Sequence, residues 1–153
     1  MGHSFCKVYV HFVWTTKNVE RILTPSARTR LHEHLLTNAK DNLIFVEALN
    51  VQPEHVHLLV NLSRTCAIEE VAKSRKGESS HWINHNNIIP GKFSWQTGYG
   101  AFSVSYTHYK NVMAYINNQD KHHQRVTFTT EYEALLRKYG CTNFQTDKSV
   151  FEY

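Results

Sequence analysis

Apolar and polar positions alternate along residues 6–14, a stretch rich in β-branched and aromatic side chains. This pattern predicts a strand, because successive side chains of a strand point to opposite faces of its sheet. Val10, Phe12 and Trp14 would share one face, and His11 would lie on the other.

The spacing of apolar residues becomes helical after Thr24 and Pro25. Thr24 is a suitable N-cap, and proline is favoured at the first position of a helix. Apolar residues then recur near one stripe as far as Lys40. Applied to the whole chain, the same reasoning predicts strands at 6–14, 42–51, 55–62 and 92–105, and helices at 25–40, 67–84, 105–122 and 130–138.

The order of these elements predicts the fold class. A tight connection at 52–54 joins two strands that we expect to pair as an antiparallel hairpin. The series strand, helix, strand, strand, helix, strand is the βαββαβ arrangement of ferredoxin-like (RRM-like) α+β sandwiches. We therefore predict an antiparallel sheet with helices on one face, plus C-terminal helices. This fold hosts many functions, so it does not by itself predict chemistry.

Composition narrows the class of protein. The chain has 153 residues, of which 41% are hydrophobic and 20% charged, as expected for one globular domain over 1–153. No apolar run is long enough to span a membrane, and we see no secretory signal at the N-terminus. The three cysteines are far apart and odd in number, which argues against a disulfide framework. We expect a cytoplasmic protein with no membrane partner.

The charge of the chain modestly favours a polyanionic partner. The formal net charge is +4, and the pI is about 9.0. Many basic proteins bind no nucleic acid, so this raises the expectation of a phosphate-bearing partner without deciding it.

A pair of histidines, His55 and His57, stands at the head of the apolar run 55–62. On a strand both imidazoles would point to the same face, as two ligands of one metal ion do. The alternative is a partly exposed strand end that carries two of the chain's 11 histidines by chance. The pair alone does not distinguish these interpretations.

The predicted helix at 105–122 carries a second informative pair. Tyr115 lies off the centre of the buried stripe, and Gln119 follows one turn later on the same side. An amphipathic tyrosine is common on the shoulder of a helix, so this pair is unremarkable alone. The stripe itself comprises Tyr109, Val112, Met113 and Ile116.

Taken together, His-x-His on a strand and Tyr-x-x-x-Gln on a later helix resemble the single-tyrosine HUH transposases of bacterial and archaeal insertion sequences. The REP-associated tyrosine transposases share this core. The further stretches that resemble the family lie at 52–60, 79–84, 93–103 and 115–123.

The resemblance implies a role for each residue of the two pairs. His55, His57 and Gln119 would bind a divalent metal, Mg²⁺ or Mn²⁺, and Tyr115 would be the nucleophile. The substrate would be single-stranded DNA, often folded as a hairpin, and the intermediate a 5′-phosphotyrosine. Related proteins act as homodimers with a composite active site. The histidines at 122 and 123 could assist at this site or cap the helix C-terminus electrostatically, and we favour capping.

Several basic side chains could follow a DNA backbone, although charged runs usually just face water. The predicted DNA-binding residues are Lys17, Arg21, Lys73, Arg75, Lys76 and Lys92. Arg75 stands where an apolar residue is expected, which weakens this placement. Bases could stack on Trp95, Tyr99 and Phe102, although aromatic residues more often lie in the core.

Three other functions compete with DNA strand transfer. A domesticated protein of the same fold could bind single-stranded DNA or hairpins without cutting them. A phosphoesterase with paired histidine motifs would need a second such strand, which the sequence lacks. A structural zinc site is disfavoured because no cysteines accompany the histidines.

Overall fold

The structure is a computed structural model that describes residues 2–141, so the ends of the predicted 1–153 domain lie outside the described residues. Within these residues, four strands and five α-helices follow the predicted order, except that two helices replace the one predicted at 105–122. The elements are β1 (Tyr9–Thr15), α1 (Pro25–Asp41), β2 (Phe45–Val51), β3 (His55–Asn61), α2 (Ile68–His85), β4 (Gly100–Val104), α3 (Tyr109–Asn117), α4 (Gln119–His122) and α5 (Phe128–Lys138). The predicted α+β class is confirmed.

The strands form one antiparallel sheet in the order β2-β3-β1-β4. The predicted hairpin of β2 and β3 is present, with Val51 opposite Val56. In the central pair, Val13 of β1 lies opposite His57, and Thr15 lies opposite His55. The two histidines are therefore carried by a strand that is paired on both sides.

One face of the sheet packs against α1 and α2. Thr24 caps α1, because its hydroxyl accepts a hydrogen bond from the backbone N–H of Ala27 at 3.2 Å. The buried side chains of this layer come from both helices and all three longer strands, among them Val10, Phe12, Trp14, Leu31, Leu35, Leu58, Val71 and Ile83. This apolar layer fixes the sheet on which the site is built.

The opposite face is covered by the C-terminal helices. Leu59 and Ile116 share one apolar cluster, so α3 crosses the β3 side of this face. Val13, Phe102 and Phe128 share another, which attaches α5 to β1 and β4. His55 and His57 point to this face, between the two clusters, as the two-residue period of a strand requires.

The strands predicted at 6–14 and 92–105 are shorter than expected, and so is the strand predicted at 42–51, which begins at Phe45. The strand predicted at 92–105 is regular only over Gly100–Val104, and Trp95 pairs with the main sheet through an isolated bridge to Thr16. The reason is that Asn84 satisfies both the N–H and the C=O of Phe93, so this segment bonds to α2 instead of to a strand. β1 begins at Tyr9 because its partners β3 and β4 extend no further than the residues opposite it.

The helix predicted at 105–122 is two helices. α3 begins at Tyr109, and the chain turns at Asn118 before the short α4. Asn118 has φ −101° and ψ 16°, and its N–H bonds to the carbonyls of Ala114 and Tyr115. Tyr115 and Gln119 consequently lie on either side of a turn instead of on one continuous helix.

Gly100 of β4 lies close to the side chain of Tyr132 on α5. A Cβ added to Gly100 would stand 2.8 Å from the Tyr132 hydroxyl oxygen and 2.9 Å from the Phe102 ring. We predict that Gly100→Ala lowers the free energy of unfolding by about 1–3 kcal/mol, the usual cost of overpacking. Urea denaturation followed by circular dichroism measures this change.

The matched control is Gly77→Ala, the same chemical change at an exposed position inside α2, where nothing lies within 4 Å of an added Cβ. It should raise stability by about 0.5–1 kcal/mol, because alanine favours helices over glycine. Equal effects of the two substitutions would show that α5 does not pack against Gly100 as described.

Candidate metal centre and nucleophile

His55 is fully buried, and its two ring nitrogens have different surroundings. Nδ1 lies 2.5 Å from Glu54 Oε1, and the other carboxylate oxygen of Glu54 pairs with Arg21 at 2.5 Å. Nε2 has no hydrogen-bond partner among the described residues. Burial lowers the pKa of His55 to about 4, so the ring is neutral at pH 7. A neutral imidazole with a free, buried nitrogen suits a metal ligand.

His57 is also fully buried and is oriented by another histidine. His57 Nδ1 lies 2.8 Å from His11 Nε2 on β1. Two effects lower the pKa of His11 to about 3: burial, which is the larger, and the neighbouring His57 ring. His11 is therefore neutral at pH 7. When His57 offers the Nε2 lone pair to a cation, its Nδ1 carries the ring proton. Nδ1–H then donates a hydrogen bond to His11 Nε2.

Two residues that follow α3 in the chain, His123 and Glu131, also lie beside His55 and His57. Glu131 of α5 is buried, and its Oε1 lies 3.0 Å from His57 Nε2 and 3.3 Å from His123 Nε2. His123 Nδ1 lies 2.7 Å from the carbonyl oxygen of Val126, which orients the ring. One donor atom from each of His55, His57, His123 and Glu131 lies within 4.8 Å of the other three.

Of the two roles predicted for the histidines at 122 and 123, the structure favours the one at the site. His123 lies in the cluster, and His122 Nε2 lies 3.2 Å from Glu131 Oε2. Both residues also lie at the C-terminal end of the short α4. Burial lowers the pKa of His123, but hydrogen bonding to Glu131 outweighs it, so the pKa is raised overall.

Tyr115 reaches this cluster from α3. Its hydroxyl donates a hydrogen bond to Glu131 Oε2, and its ring lies edge-on to the His57 ring, with centroids 5.7 Å apart. Burial, reinforced by the Glu131 carboxylate, raises the pKa of Tyr115. Burial also acts to raise the pKa of Glu131, but hydrogen bonds from His123 and His57 hold it well below its usual range. The tyrosine is thus a phenol and its partner a carboxylate.

Gln119 lies beside the cluster and is fully buried. Its Oε1 is 2.7 Å from His123 Nε2, and its amide nitrogen donates to the Tyr115 carbonyl at 3.4 Å. The structure therefore brings together all four residues predicted for the catalytic site, His55, His57, Tyr115 and Gln119, without assigning their roles.

The residues present fit a divalent cation. The buried, unpartnered Nε2 of His55 faces the carboxylate of Glu131 at 3.5 Å, and imidazole nitrogens from His57 and His123 complete the surroundings. Imidazole with carboxylate or amide oxygen suits Mn²⁺ and similar transition metals better than Mg²⁺, which prefers oxygen alone.

The predicted DNA-binding residues fall into two groups. Lys17, Lys92 and Arg21 are exposed, and Lys73 is exposed beside Glu69, 3.0 Å away. Arg75 is buried and donates to Asn38 at 2.5 Å, and Lys76 donates to the carbonyls of Gln96 and Gly98. We therefore leave Arg75 and Lys76 out of any DNA-facing surface, because their charges are used inside the molecule.

Of the three aromatic residues considered for base stacking, only Tyr99 is exposed, at 37%. Trp95 is buried and donates from its indole nitrogen to Ser79 at 2.9 Å. Phe102 is buried against α5. The interpretation of Trp95 and Phe102 as stacking platforms is wrong, since both belong to the core.

Three residues of the site, His11, Glu54 and Glu131, were not predicted from the sequence. Glu131 carried a detectable signal: with Phe128, Tyr132 and Leu135 it occupies the i, i+3, i+4, i+7 stripe of an amphipathic helix. A carboxylate within such a stripe needs a buried partner.

An open cleft of about 770 Å³ leads to the cluster between α3, α5 and β4. Tyr115 and Glu131 line this cleft together with Lys138 and Tyr139.

The protein is thus an α+β protein with a four-stranded antiparallel sheet, on which a buried histidine cluster meets a tyrosine. A family model described as "Transposase IS200 like" matches residues 4–119. The chain therefore belongs to the IS200-like transposase family. Glu131 and His123 lie beyond the matched segment.

Similar proteins support this assignment. The ISDra2 transposase TnpA of Deinococcus radiodurans is 26% identical over 114 residues, which cover 71% of this chain and 81% of the relative. A solved transposase structure from Deinococcus radiodurans R1 has a TM-score of 0.60 at 27% identity and covers 78% of this chain and 96% of its own.

A REP-associated tyrosine transposase, solved bound to a REP hairpin, shares the fold with a TM-score of 0.60 at 18% identity. This match covers 82% of the present chain and 74% of the other. In the part of the chain that the structure describes, no helix is long and apolar enough to cross a membrane.

The neutral His11 predicts a dependence of stability on pH. Its pKa of about 3 in the folded protein lies below its value of about 6.5 in the unfolded chain. Its contribution to stability is therefore complete above pH 6.5 and falls by about 1.4 kcal/mol per pH unit as the pH decreases towards 3. Urea titrations of metal-free protein at pH 7 and pH 5 measure the loss.

His11→Gln should reduce this loss, because glutamine keeps an acceptor for His57 but does not titrate. The exposed His81→Gln serves as the control and should lose as much stability as the natural protein. If the His11→Gln variant shows the same decrease between pH 7 and pH 5 as the natural protein, His11 is not held neutral by burial.

Proposed function

We propose that this chain cuts and rejoins single-stranded DNA through a 5′-phosphotyrosine intermediate formed by Tyr115. The catalytic set would comprise Tyr115 with His55, His57 and Gln119 as ligands of Mg²⁺ or Mn²⁺. The observation that carries the proposal is that the Tyr115 hydroxyl lies in the same buried cluster as the two histidines of β3.

The reaction conserves the phosphodiester energy. The Tyr115 oxygen forms a bond to the scissile phosphorus as the bond from phosphorus to the 3′ oxygen breaks. The proton of the phenol passes to this 3′ oxygen, which leaves as a hydroxyl group. A 3′-hydroxyl from another strand later reverses the step and frees the tyrosine. A bound divalent cation would neutralise charge on the non-bridging phosphate oxygens.

The side chains of this protein would place the strand and orient the groups that react. The cleft lined by Lys138 gives the DNA backbone a route to Tyr115. The exposed Lys17, Arg21, Lys73 and Lys92 would add attraction that weakens with salt. Binding of a folded DNA end is supported by the solved relative that holds a REP hairpin.

A homodimer with a composite active site is also part of the proposal. Within the single chain, Tyr115 already lies against His57. A composite site would therefore require exchange of the segment containing α3 between two subunits. Mixing a His57→Ala subunit with a Tyr115→Phe subunit would distinguish the two arrangements, since only exchange restores a complete site.

The Tyr115→Phe variant tests the nucleophile. We predict that it forms no covalent adduct with single-stranded DNA, a loss of at least about 1,000-fold, because the attacking oxygen is removed. Denaturing gel electrophoresis of end-labelled hairpin DNA, incubated with Mn²⁺ or Mg²⁺, measures the adduct. Chelation of the metal should abolish the adduct formed by the natural protein.

The matched control is Tyr106→Phe, which removes the hydroxyl of a tyrosine that is 65% exposed. This variant should form the adduct at the natural rate. An adduct on Tyr115→Phe would show that another residue attacks. Tight hairpin binding without cleavage by the natural protein, whatever the divalent metal, would instead identify a non-cleaving binding protein.

A further inference from the structure

We propose that Glu131 is a direct ligand of the metal and that the same carboxylate holds the hydroxyl of the nucleophile. This inference rests on the proposed function, because it concerns the metal and the tyrosine of that site. It adds a ligand to the set proposed above, which comprises His55, His57 and Gln119.

The first support is the position of Glu131 Oε1. This oxygen lies 3.0 Å from His57 Nε2, 3.3 Å from His123 Nε2 and 3.5 Å from His55 Nε2. It is the one anionic atom that faces all three ring nitrogens among the described residues.

The second support is the spacing of these atoms. Donor atoms bound to one cation at about 2.1 Å are separated by about 3.0 Å at right angles and by about 3.4 Å at tetrahedral angles. The separations from Glu131 Oε1 to His57 and His123 fall in this range, and the separation to His55, 3.5 Å, exceeds it by about 0.1 Å. A cation could therefore be bound by the carboxylate and the imidazoles after only small shifts.

The third support is the different situation of Gln119. Its Oε1 is directed at His123 Nε2, 2.7 Å away. A neutral amide oxygen is also a weaker ligand for a divalent cation than a carboxylate. Gln119 is neutral and also contacts His123, so Glu131 supplies the negative charge of the site.

The second oxygen of Glu131 gives the residue its other role. Oε2 accepts the hydrogen bond of the Tyr115 hydroxyl and lies 3.2 Å from His122 Nε2. A single carboxylate thus faces the metal ligands with one oxygen and the nucleophile with the other. Removal of its charge should weaken metal binding, whereas removal of the tyrosine hydroxyl should leave the metal-facing oxygen in place.

Calorimetric titration of the full chain with Mn²⁺, without DNA, tests this assignment. Glu131→Gln preserves the shape of the side chain and should weaken Mn²⁺ binding by about 10–100-fold. Gln119→Ala should weaken it less than Glu131→Gln does. Tyr115→Phe should bind Mn²⁺ within about twofold of the natural protein, because Glu131 Oε1 is untouched.

The matched control is Glu133→Gln, which removes a carboxylate from the exposed side of the same helix and should leave Mn²⁺ affinity unchanged. Far-ultraviolet circular dichroism shows whether each variant folds. If Glu131→Gln does not fold, Glu131→Asp replaces it, since a shorter carboxylate cannot face both the histidines and Tyr115. We expect weaker Mn²⁺ binding from that variant as well.

Natural affinity in a folded Glu131 variant, or a greater loss in Gln119→Ala, would overturn the assignment. Failure of the proposed function has a different signature. In that case the natural protein forms no DNA adduct, while the Mn²⁺ affinities measured without DNA still decide which residue binds the metal.

Discussion

The site depends on the burial of two imidazole rings on one face of a central strand. His55 and His57 are fully buried, and β3 is paired on both sides, so neither ring can turn towards water. Buried polar groups are costly unless each finds a partner. Glu54 and His11 therefore each engage one Nδ1, which leaves both Nε2 atoms directed at a single point.

The C-terminal helices supply the remaining residues of the candidate metal site. The stability of their packing and the chemistry of the site are therefore coupled. Phe128 and Tyr132 attach α5 to Phe102 of β4, and Gly100 leaves room for that contact. The same helix places Glu131 between the histidines and Tyr115. A change that loosens α5 would therefore remove apolar contacts and would also move the Glu131 carboxylate away from the histidines.

The parts of the site that the sequence predicts are those that local geometry determines. A strand puts His55 and His57 on one face, and a spacing of four residues keeps Gln119 next to Tyr115 even across the turn at Asn118. The order of strands and helices along the chain also followed from local patterns. The tight turn at 52–54 and the capping of α1 by Thr24 are short-range features that mark where elements begin and end.

The remaining features depend on contacts between distant elements. Glu131 meets His57 across 74 positions of the chain, and His11 meets His57 across 46. Arg75 faces inward because Asn38 of α1 offers an acceptor, a pairing that the periodicity of α2 alone does not reveal. Strand formation at 92–105 was overpredicted because side-chain bonds from Asn84 compete with the sheet.

The most direct test of the central claim is the location of a bound metal. Anomalous diffraction from a crystal grown with Mn²⁺ would show where the ion lies relative to β3 and α3. We predict one strong peak at bonding distance, about 2.1–2.3 Å, from Nε2 of both His55 and His57, with the Tyr115 hydroxyl facing it. A peak that contacts neither histidine, or an ion separated from Tyr115 by other residues, would contradict a metal site shared by β3 and α3.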